Sequence, residues 1–324
     1  MTIEILMVIG FCLAAYSIVG NDVPQTLGTF ISSNAHRPWW VLWLFISTIL
    51  VVVLIYGWYA SGVGDASYGR LETIPFPDNG ITWLYIVPPI LLLFLTKYGI
   101  PVSTTFLVLT IFSPASLGSM MVKSMMGYAV AFVVAIIVYR FVMRQVAKYF
   151  AKTRHEEPSH IWIGLQWVST AFLWSQWLIQ DLANIFVYVP RQVPLAFLLF
   201  AITIFVVLLA LILYQRGGAI QKIVDTKTGV TDIRAATIID FMYALILLVF
   251  KEWSNIPMST TWVFLGLLAG REFAMSMIFD EVNKHRTSRN VSKDAMKLMF
   301  GLAMSVILAT TLPWFYNFVT NYGQ

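Results

Sequence analysis

The sequence predicts an all-α polytopic membrane protein, with about ten membrane segments in two inverted repeats that contain broken or hairpin-like helices. Three observations predict it. Hydrophobic residues make up 59% of the 324 positions and charged ones 11%, with a mean hydropathy of +0.76, more apolar content than a soluble core of this size can use. Ten apolar stretches approach or exceed the roughly 20 residues that a spanning helix needs. Two motifs recur in the same order at a nearly constant offset.

The stretches run 4–30, 38–60, 82–97, 100–118, 121–143, 161–189, 193–214, 237–252, 257–278 and 297–318. The first begins "MTIEIL", acidic rather than basic, and no small-residue cleavage site follows, so it reads as a retained segment and not a signal peptide. Gly20 can end one helix and Pro24 suits the first turn of another, which predicts a break near Asp22. Such a break frees backbone groups, tolerated at membrane depth only where they line a cavity or are buried in protein. The second copy, "IQDLAN", has neither Gly nor Pro, so the break is less strongly written there.

The loop 61–80 carries Asp65, Glu72 and Asp78 against Arg70 alone. Basic residues gather instead in three connections: Arg140, Arg144, Lys148, Lys152 and Arg154; Arg216, Lys222, Lys227 and Arg234; Lys284, Arg286, Arg289, Lys293 and Lys297. The positive-inside rule places these in the cytoplasm. Ten crossings with both termini outside satisfy that assignment, in a multi-pass protein of the plasma (inner) membrane. The net charge of +5 is thereby a matter of topology and implies no nucleic-acid partner. The single Cys12 excludes an intrachain disulfide.

"GNDVPQTLG" at 20–28 pairs with "IQDLANIFV" at 179–187, an offset of 159 between Asp22 and Asp181. "IPVSTTFLVL" at 100–109 pairs with "IPMSTTWVFL" at 256–265, an offset of 156 between the prolines. Segment starts at 38 and 82 map by the same offset onto the seventh and eighth stretches, while a basic insert around 280–296 breaks it before the last. The expected division is a first repeat over 1–146, a cytoplasmic linker over 147–160 and a second repeat over 161–324. Five crossings per half would invert one half relative to the other, as in many secondary transporters.

These motifs resemble the Gly-Ala-Asn-Asp-Val-Ala-Asn-Ala and Pro-Ile/Val-Ser-Thr-Thr-His signatures of the inorganic phosphate transporter (PiT) family, in order and spacing over nearly the whole chain. The resemblance implies a cation-coupled symporter for inorganic phosphate or a related oxyanion, with a homodimer as a possible assembly. Carried over residue by residue, it points to Asp22, Gln25, Asp181 and Asn184, to Ser103, Thr104 and Thr105, and to Ser259, Thr260 and Thr261. The chain departs from the family pattern at Gln25 and Gln180, where the family has Asn. It departs again at Phe106 and Trp262, which replace the His after each Thr-Thr. Phosphate leads as substrate on the resemblance, and sulfate and bicarbonate follow because that His is missing twice.

The residues argue the same way. A proline before each Ser-Thr-Thr favours a helix start with hydroxyls at the cap, and a helix N-terminus attracts anions. Two such ends, Ser103–Thr105 and Ser259–Thr261, could clamp an oxyanion with Gln25 and Asn184. The plainer reading is that these hydroxyls bond preceding carbonyls or neighbouring helices. A carboxylate near the bilayer centre costs about 2.5 to 3.5 kcal/mol on insertion scales, so Asp22 and Asp181 mark function unless they cap helices or pair with a basic residue. Two ionised carboxylates would repel an anion, so cations must accompany it. Na⁺ would be held by Asp22 and Asp181 with Asn21 and Gln180, and protonation of the pair is the other route. Each of the four amides can turn either its carbonyl or its NH₂ inward.

Other marks read as structural. Arg271 and Glu272 suggest an ion pair, Lys123 and Lys251 look like segment-end residues reaching the interface, and Gly266–Gly270 is a small-residue packing face. "GVGD" at 62–65 matches an intramembrane aspartyl protease motif but lies in a loop with no Tyr-Asp partner elsewhere. The four His residues show no metal-ligand spacing, and neither a Walker motif nor a Rossmann fingerprint occurs. The expectation is a transporter and not an enzyme, with no cofactor beyond Na⁺ or H⁺ as coupling ion. A passive anion channel is the rival reading, and the lipid bilayer and an inorganic oxyanion are the expected partners.

Overall fold

The computed structural model describes residues 2–98, 100, 102–142, 159–218, 220–221, 232–278 and 284–322, and every regular element among them is helical. Most of the expected linker lies outside the described residues. So do Pro101, Arg144, Lys148, Lys152, Arg154, Lys222 and Lys227, and the side chains of Lys284, Arg286 and Arg289.

Helix α1 runs Thr2–Ser33 and α2 runs Trp39–Ala60. A 3₁₀ turn, Trp83–Ile86, leads into α3, Val87–Lys97. A π-helical turn, Thr105–Leu109, leads into α4, Thr110–Phe112, and α5 covers Leu117–Ile137. Then follow α6, His160–Asp181, α7, Ala183–Phe186, and α8, Leu195–Tyr214. The last three are α9, Ile233–Trp253, α10, Thr260–Ile278, and α11, Lys284–Tyr322. Six helical stretches among the described residues are long and apolar enough to cross a membrane, lying within 4–33, 39–60, 114–141, 195–214, 233–253 and 291–315.

Polarity is distributed as a lipid solvent requires. Tyr56, Phe94, Phe141, Val168 and Val207 are exposed, while Asn21, Ser124, Gln166, Thr170, Asp181 and Asn184 are fully buried. The protein is an integral, all-α polytopic membrane protein.

The stretches 82–97 and 100–118, expected as two crossings, instead form one hairpin. The helical run from Trp83 to Lys97 is about 22 Å long at 1.5 Å per residue, short of a hydrocarbon core of roughly 30 Å. At its start, the Tyr85 ring lies 4.5 Å from that of Phe112 at the end of the returning limb. Tyr188 closes the pair: its hydroxyl donates to the Tyr85 carbonyl at 2.7 Å and its ring lies 5.1 Å from Phe112. The chain therefore enters and leaves on the same face.

The break expected at Gly20–Pro24 is absent, and α1 passes through both residues unbroken. Gly20 is not among the residues with positive φ, so it caps nothing. Pro24 lacks the N–H that would bond the Gly20 carbonyl, a loss costing about 3 kcal/mol in an isolated helix. Packing on every side overrides that local preference: Ile18, Val19, Val23 and Leu27 are all buried. It is in the second copy, where the sequence argued less for it, that regular helix is interrupted, at Leu182 between α6 and α7.

Helix pairings recur between the halves. α1 packs on α3 as α6 packs on α9, α1 on α8 as α6 on α2, and α5 lies along α10 as α11 lies along the 105–112 limb. The α5–α10 seam is close: a Cβ at Gly266 would stand 2.5 Å from the Tyr128 carbonyl oxygen, and one at Gly270 would meet that of Phe132. Small residues let those backbones touch.

Candidate functional site

Two extended tips meet at the centre. Residues 102–103 precede the π turn and residues 254–259 join α9 to α10, and the helix starts that follow them reach Asp22 on α1 and Asp181 on α6. Each tip ends as a capped helix start. The Ser103 hydroxyl accepts from the Phe106 N–H at 3.2 Å, and the Ser259 hydroxyl accepts from the Trp262 N–H at 3.4 Å. This is the geometry that a hydroxyl at a helix N-cap produces.

The next residues exchange contacts across the halves. Thr105 donates to the Met258 carbonyl at 3.1 Å, and Thr261 donates to the Val102 carbonyl at 3.4 Å. Thr104 donates to Asp22 Oδ2 at 2.8 Å, and Thr260 to Asp181 Oδ2 at 2.6 Å. These are the same bonds in both copies. The threonine hydroxyls assigned to an anion clamp therefore face carboxylates and tip carbonyls here.

The two carboxylates belong to one polar chain. Asn184 donates to Thr104 Oγ1 at 3.1 Å, to Thr105 Oγ1 at 3.3 Å and to Asp181 Oδ1 at 2.9 Å. Thr104 in turn donates to Asp22, so Asp22, Thr104, Asn184 and Asp181 are continuous. Asn21 donates to Asp22 Oδ1 at 2.5 Å and to the Val102 carbonyl at 3.0 Å. All twelve residues singled out in the sequence are buried around this chain.

The amides show a common deficit. Gln25 donates to the Asn21 carbonyl at 2.9 Å and Gln180 to the Leu247 carbonyl at 2.9 Å. A carbonyl partner fixes the amide orientation for Asn21, Gln25 and Gln180, because a flip would set oxygen against oxygen. With the nitrogens so placed, Asn21 Oδ1, Gln25 Oε1, Gln180 Oε1 and Asn184 Oδ1 are all buried without a hydrogen-bond donor. An orphaned buried acceptor costs about 1–3 kcal/mol. Four of them stand beside two carboxylates that no basic side chain among the described residues contacts by a hydrogen bond, and a hard cation satisfies oxygen lone pairs of that kind.

Phe106 and Trp262, which stand where the resembled family has His, pack on each other edge to face with ring centroids 5.7 Å apart. They close the site behind Thr105 and Thr261 with an apolar wall. Tyr243 adds a bond from α9, donating to the Thr260 carbonyl at 2.9 Å.

Three residues near the site escaped the sequence reading. Arg70, in the loop expected to lie outside, is fully buried, and its Nη1 donates to the Ser254 carbonyl at 3.0 Å. Lys123, expected to reach the interface, is buried and donates to the Ser254 and Ile256 carbonyls at 2.6 and 2.7 Å. Its helix packs along α10, which turns the side chain onto the second tip. Asp240 on α9 accepts from Thr29 at 2.5 Å and Thr170 at 2.6 Å. Arg191, ten positions after Asp181, does not pair with it. Its guanidinium binds backbone carbonyls instead, Ile74 at 2.6 Å and Val189 at 3.0 Å. Arg271 lies over the Tyr139 ring at 5.8 Å.

No family model matches the chain, and no curated protein matches it. Among solved structures, one described as the sodium-dependent phosphate transporter superposes with a TM-score of 0.62 at 15% identity, covering 98% of this chain and 100% of that one. The chain shares that protein's fold over essentially its full length.

Proposed function

We propose that this protein is a secondary active transporter that couples Na⁺ or H⁺ to the movement of inorganic phosphate or a related small oxyanion, as a divergent relative of the PiT family. The observation that carries the proposal is the set of four donorless amide oxygens around Asp22 and Asp181. A site built to hold an anion alone would present donors there, and this one presents acceptors. Cations bound to those oxygens release Thr104 and Thr260 from the carboxylates and turn a repulsive centre into one that an oxyanion can share. The shared fold of a sodium-dependent phosphate transporter supports the same reading. Carboxylate, amide and hydroxyl oxygens suit a hard monovalent ion such as Na⁺.

The experiment is uptake of labelled phosphate, sulfate and bicarbonate into proteoliposomes, with and without an inward Na⁺ gradient and at two pH values. Gradient-driven accumulation of one of the three is expected. Flux that is equal with and without either cation gradient would mark a passive anion channel and defeat the proposal.

We further propose the inverted arrangement, with loop 61–80 outside and Ser159 in the cytoplasm of a cell whose plasma membrane holds the protein. The contacts support two distinct faces. Loop 61–80 meets the segment 187–194 through the Val193 N–H to the Gly64 carbonyl and Arg191 to the Ile74 carbonyl, while Arg216 meets the Arg37 carbonyl and Gln166 meets Asn34 at the other end. Val63→Cys and Ser159→Cys, both exposed positions, are expected to label from opposite sides in a Cys12-free background. Labelling from one side would break the inverted arrangement.

A further inference from the structure

Arg70 and Lys123 place two positive heads on one carbonyl. Both donate to the Ser254 oxygen, at 3.0 and 2.6 Å, so the heads lie within about 6 Å of each other, where like charges in a poorly solvated site repel. Among the described residues neither has a carboxylate within ion-pair distance. Burial pushes the Arg70 guanidinium down to about 10, against the opposing pull of Asp181 nearby. The pair is a positive site at the end of α9 with no directly paired carboxylate among the described residues.

The backbone is shaped to put Arg70 there. Asp65 accepts from the Ser67 N–H at 2.7 Å, the Ser67 hydroxyl at 2.6 Å and the Gly69 N–H at 2.8 Å, holding the turn before Arg70. Tyr68 and Gly69 both adopt positive φ, +56° and +72°. For Tyr68 that conformation is strained, and its hydroxyl is anchored to the Val53 carbonyl at 2.6 Å. The loop accepts strain and still buries a charge.

A guanidinium that serves only as a tether spends its donors on carbonyls, as Arg191 does with both of its terminal nitrogens. Arg70 spends one. Its Nη1 holds Ser254, whereas Nε and Nη2 are buried and unpartnered. Those two nitrogens form one edge of the planar group, the fork that grips two oxygens of a carboxylate, phosphate or similar oxyanion at once.

We propose that the free Nε–Nη2 edge of Arg70, with Lys123 beside it, is a second oxyanion-binding site on the loop 61–80 side of the central carboxylates. It takes a small tetrahedral or trigonal oxyanion by bidentate hydrogen bonding. The Arg70 charge is already present in the protein, so the anion binds there without a coupling cation. This separates it from the central site, which on the reading above requires one.

The test is binding of inorganic phosphate and of sulfate to the purified full-length protein in Na⁺-free buffer, measured by equilibrium dialysis on the parent, Arg70→Gln and Arg70→Lys. The parent is expected to bind at least one of the anions without Na⁺. Arg70→Gln should weaken that binding tenfold or more, and Arg70→Lys, which keeps charge without the fork, severalfold. Should Arg70→Gln fail to give a folded protein by size exclusion, the Arg70→Lys comparison decides. No Na⁺-free binding by the parent, or parent-like binding by the folded variants, overturns the proposal. Failure of the transport reading shows separately, as loss of gradient dependence in proteoliposome uptake by the parent.

Discussion

Asp22 and Asp181 occupy matching places in the two halves, yet their surroundings differ. Asp22 accepts from Thr104 and Asn21, whereas Asp181 accepts from Thr260, Asn184 and, at 3.4 Å, Thr105. Arg70 pulls on Asp181 and has no counterpart beside Asp22. The amides diverge with side-chain length. Asn184 reaches across to the first Thr-Thr, while Gln25, one methylene longer, folds back onto its own helix at Asn21. Equal positions in a repeat thus have unequal electrostatic surroundings: a guanidinium offsets part of the second carboxylate's charge, and no basic group among the described residues does so for the first.

The largest expected effect separates the two carboxylates directly. Asp22→Asn should lower Na⁺-stimulated anion affinity by roughly 100-fold, since two charge-assisted bonds worth about 1.5–3 kcal/mol each lose their ionic partner. Asp181→Asn should cost about tenfold by the same scale, because Arg70 already offsets part of the Asp181 charge and leaves it a smaller share in holding the cation. Binding isotherms of both variants check this. Equal losses would erase the distinction between the halves.

Hydroxyl deletions should show the repeat where it is most regular. Thr104→Val and Thr260→Val each remove one bond to a carboxylate and are expected to weaken anion binding about tenfold or more, at 1.5–3 kcal/mol per bond. Membrane insertion should be unchanged. Parent-like affinity in both would show that these hydroxyls only hold the tips together.

Pro24→Ala probes the helix that the sequence misrepresents. It restores an N–H toward the Gly20 carbonyl and should raise the melting temperature, since proline in a helix interior costs about 3 kcal/mol. Cation dependence should weaken only severalfold. A variant neither more stable nor weaker in binding would mean that the carbonyl freed by Pro24 has no role in either.

The smallest effect lies at the start of α9, which Asp232 caps by accepting from the Arg234 N–H at 2.9 Å. No side chain caps α3, its counterpart in the first half. Burial pushes the Asp232 carboxyl up, but hydrogen bonds from the Arg234 side chain and backbone outweigh it and hold the group below its ordinary value. Its stabilisation is therefore complete above the ordinary carboxylate range and fades as pH falls through the lowered value. Asp232→Ala should cost about 1 kcal/mol near neutral pH and almost nothing in strong acid, read from melting temperatures.

What the sequence disclosed and withheld follows from range. The Ser-Thr-Thr caps and the meeting of the repeated motifs were legible because they rest on local spacing and on duplication. The continuity of α1 was not, because burial of Val19, Val23 and Leu27 outweighs a local helix-breaking signal. Arg70 was hidden for a different reason. Its partner Ser254 lies 184 positions away, and a lone Arg in an acidic loop carries no pattern that predicts burial. Asp240, whose bonds reach Thr29 and Thr170, was equally silent.

The central claim is that the acceptor-rich cluster at Asp22 and Asp181 binds the coupling cation and thereby admits the anion. Coupling of this kind is reciprocal, so the factor by which Na⁺ raises anion affinity must equal the factor by which the anion raises Na⁺ affinity. Calorimetric titration of the purified parent, anion at rising Na⁺ and Na⁺ at rising anion, repeated at lowered pH, measures both factors. The account predicts equal factors well above one in the parent and a factor near one in Asp22→Asn. Anion affinity that is the same at every Na⁺ concentration and pH in the parent would contradict it.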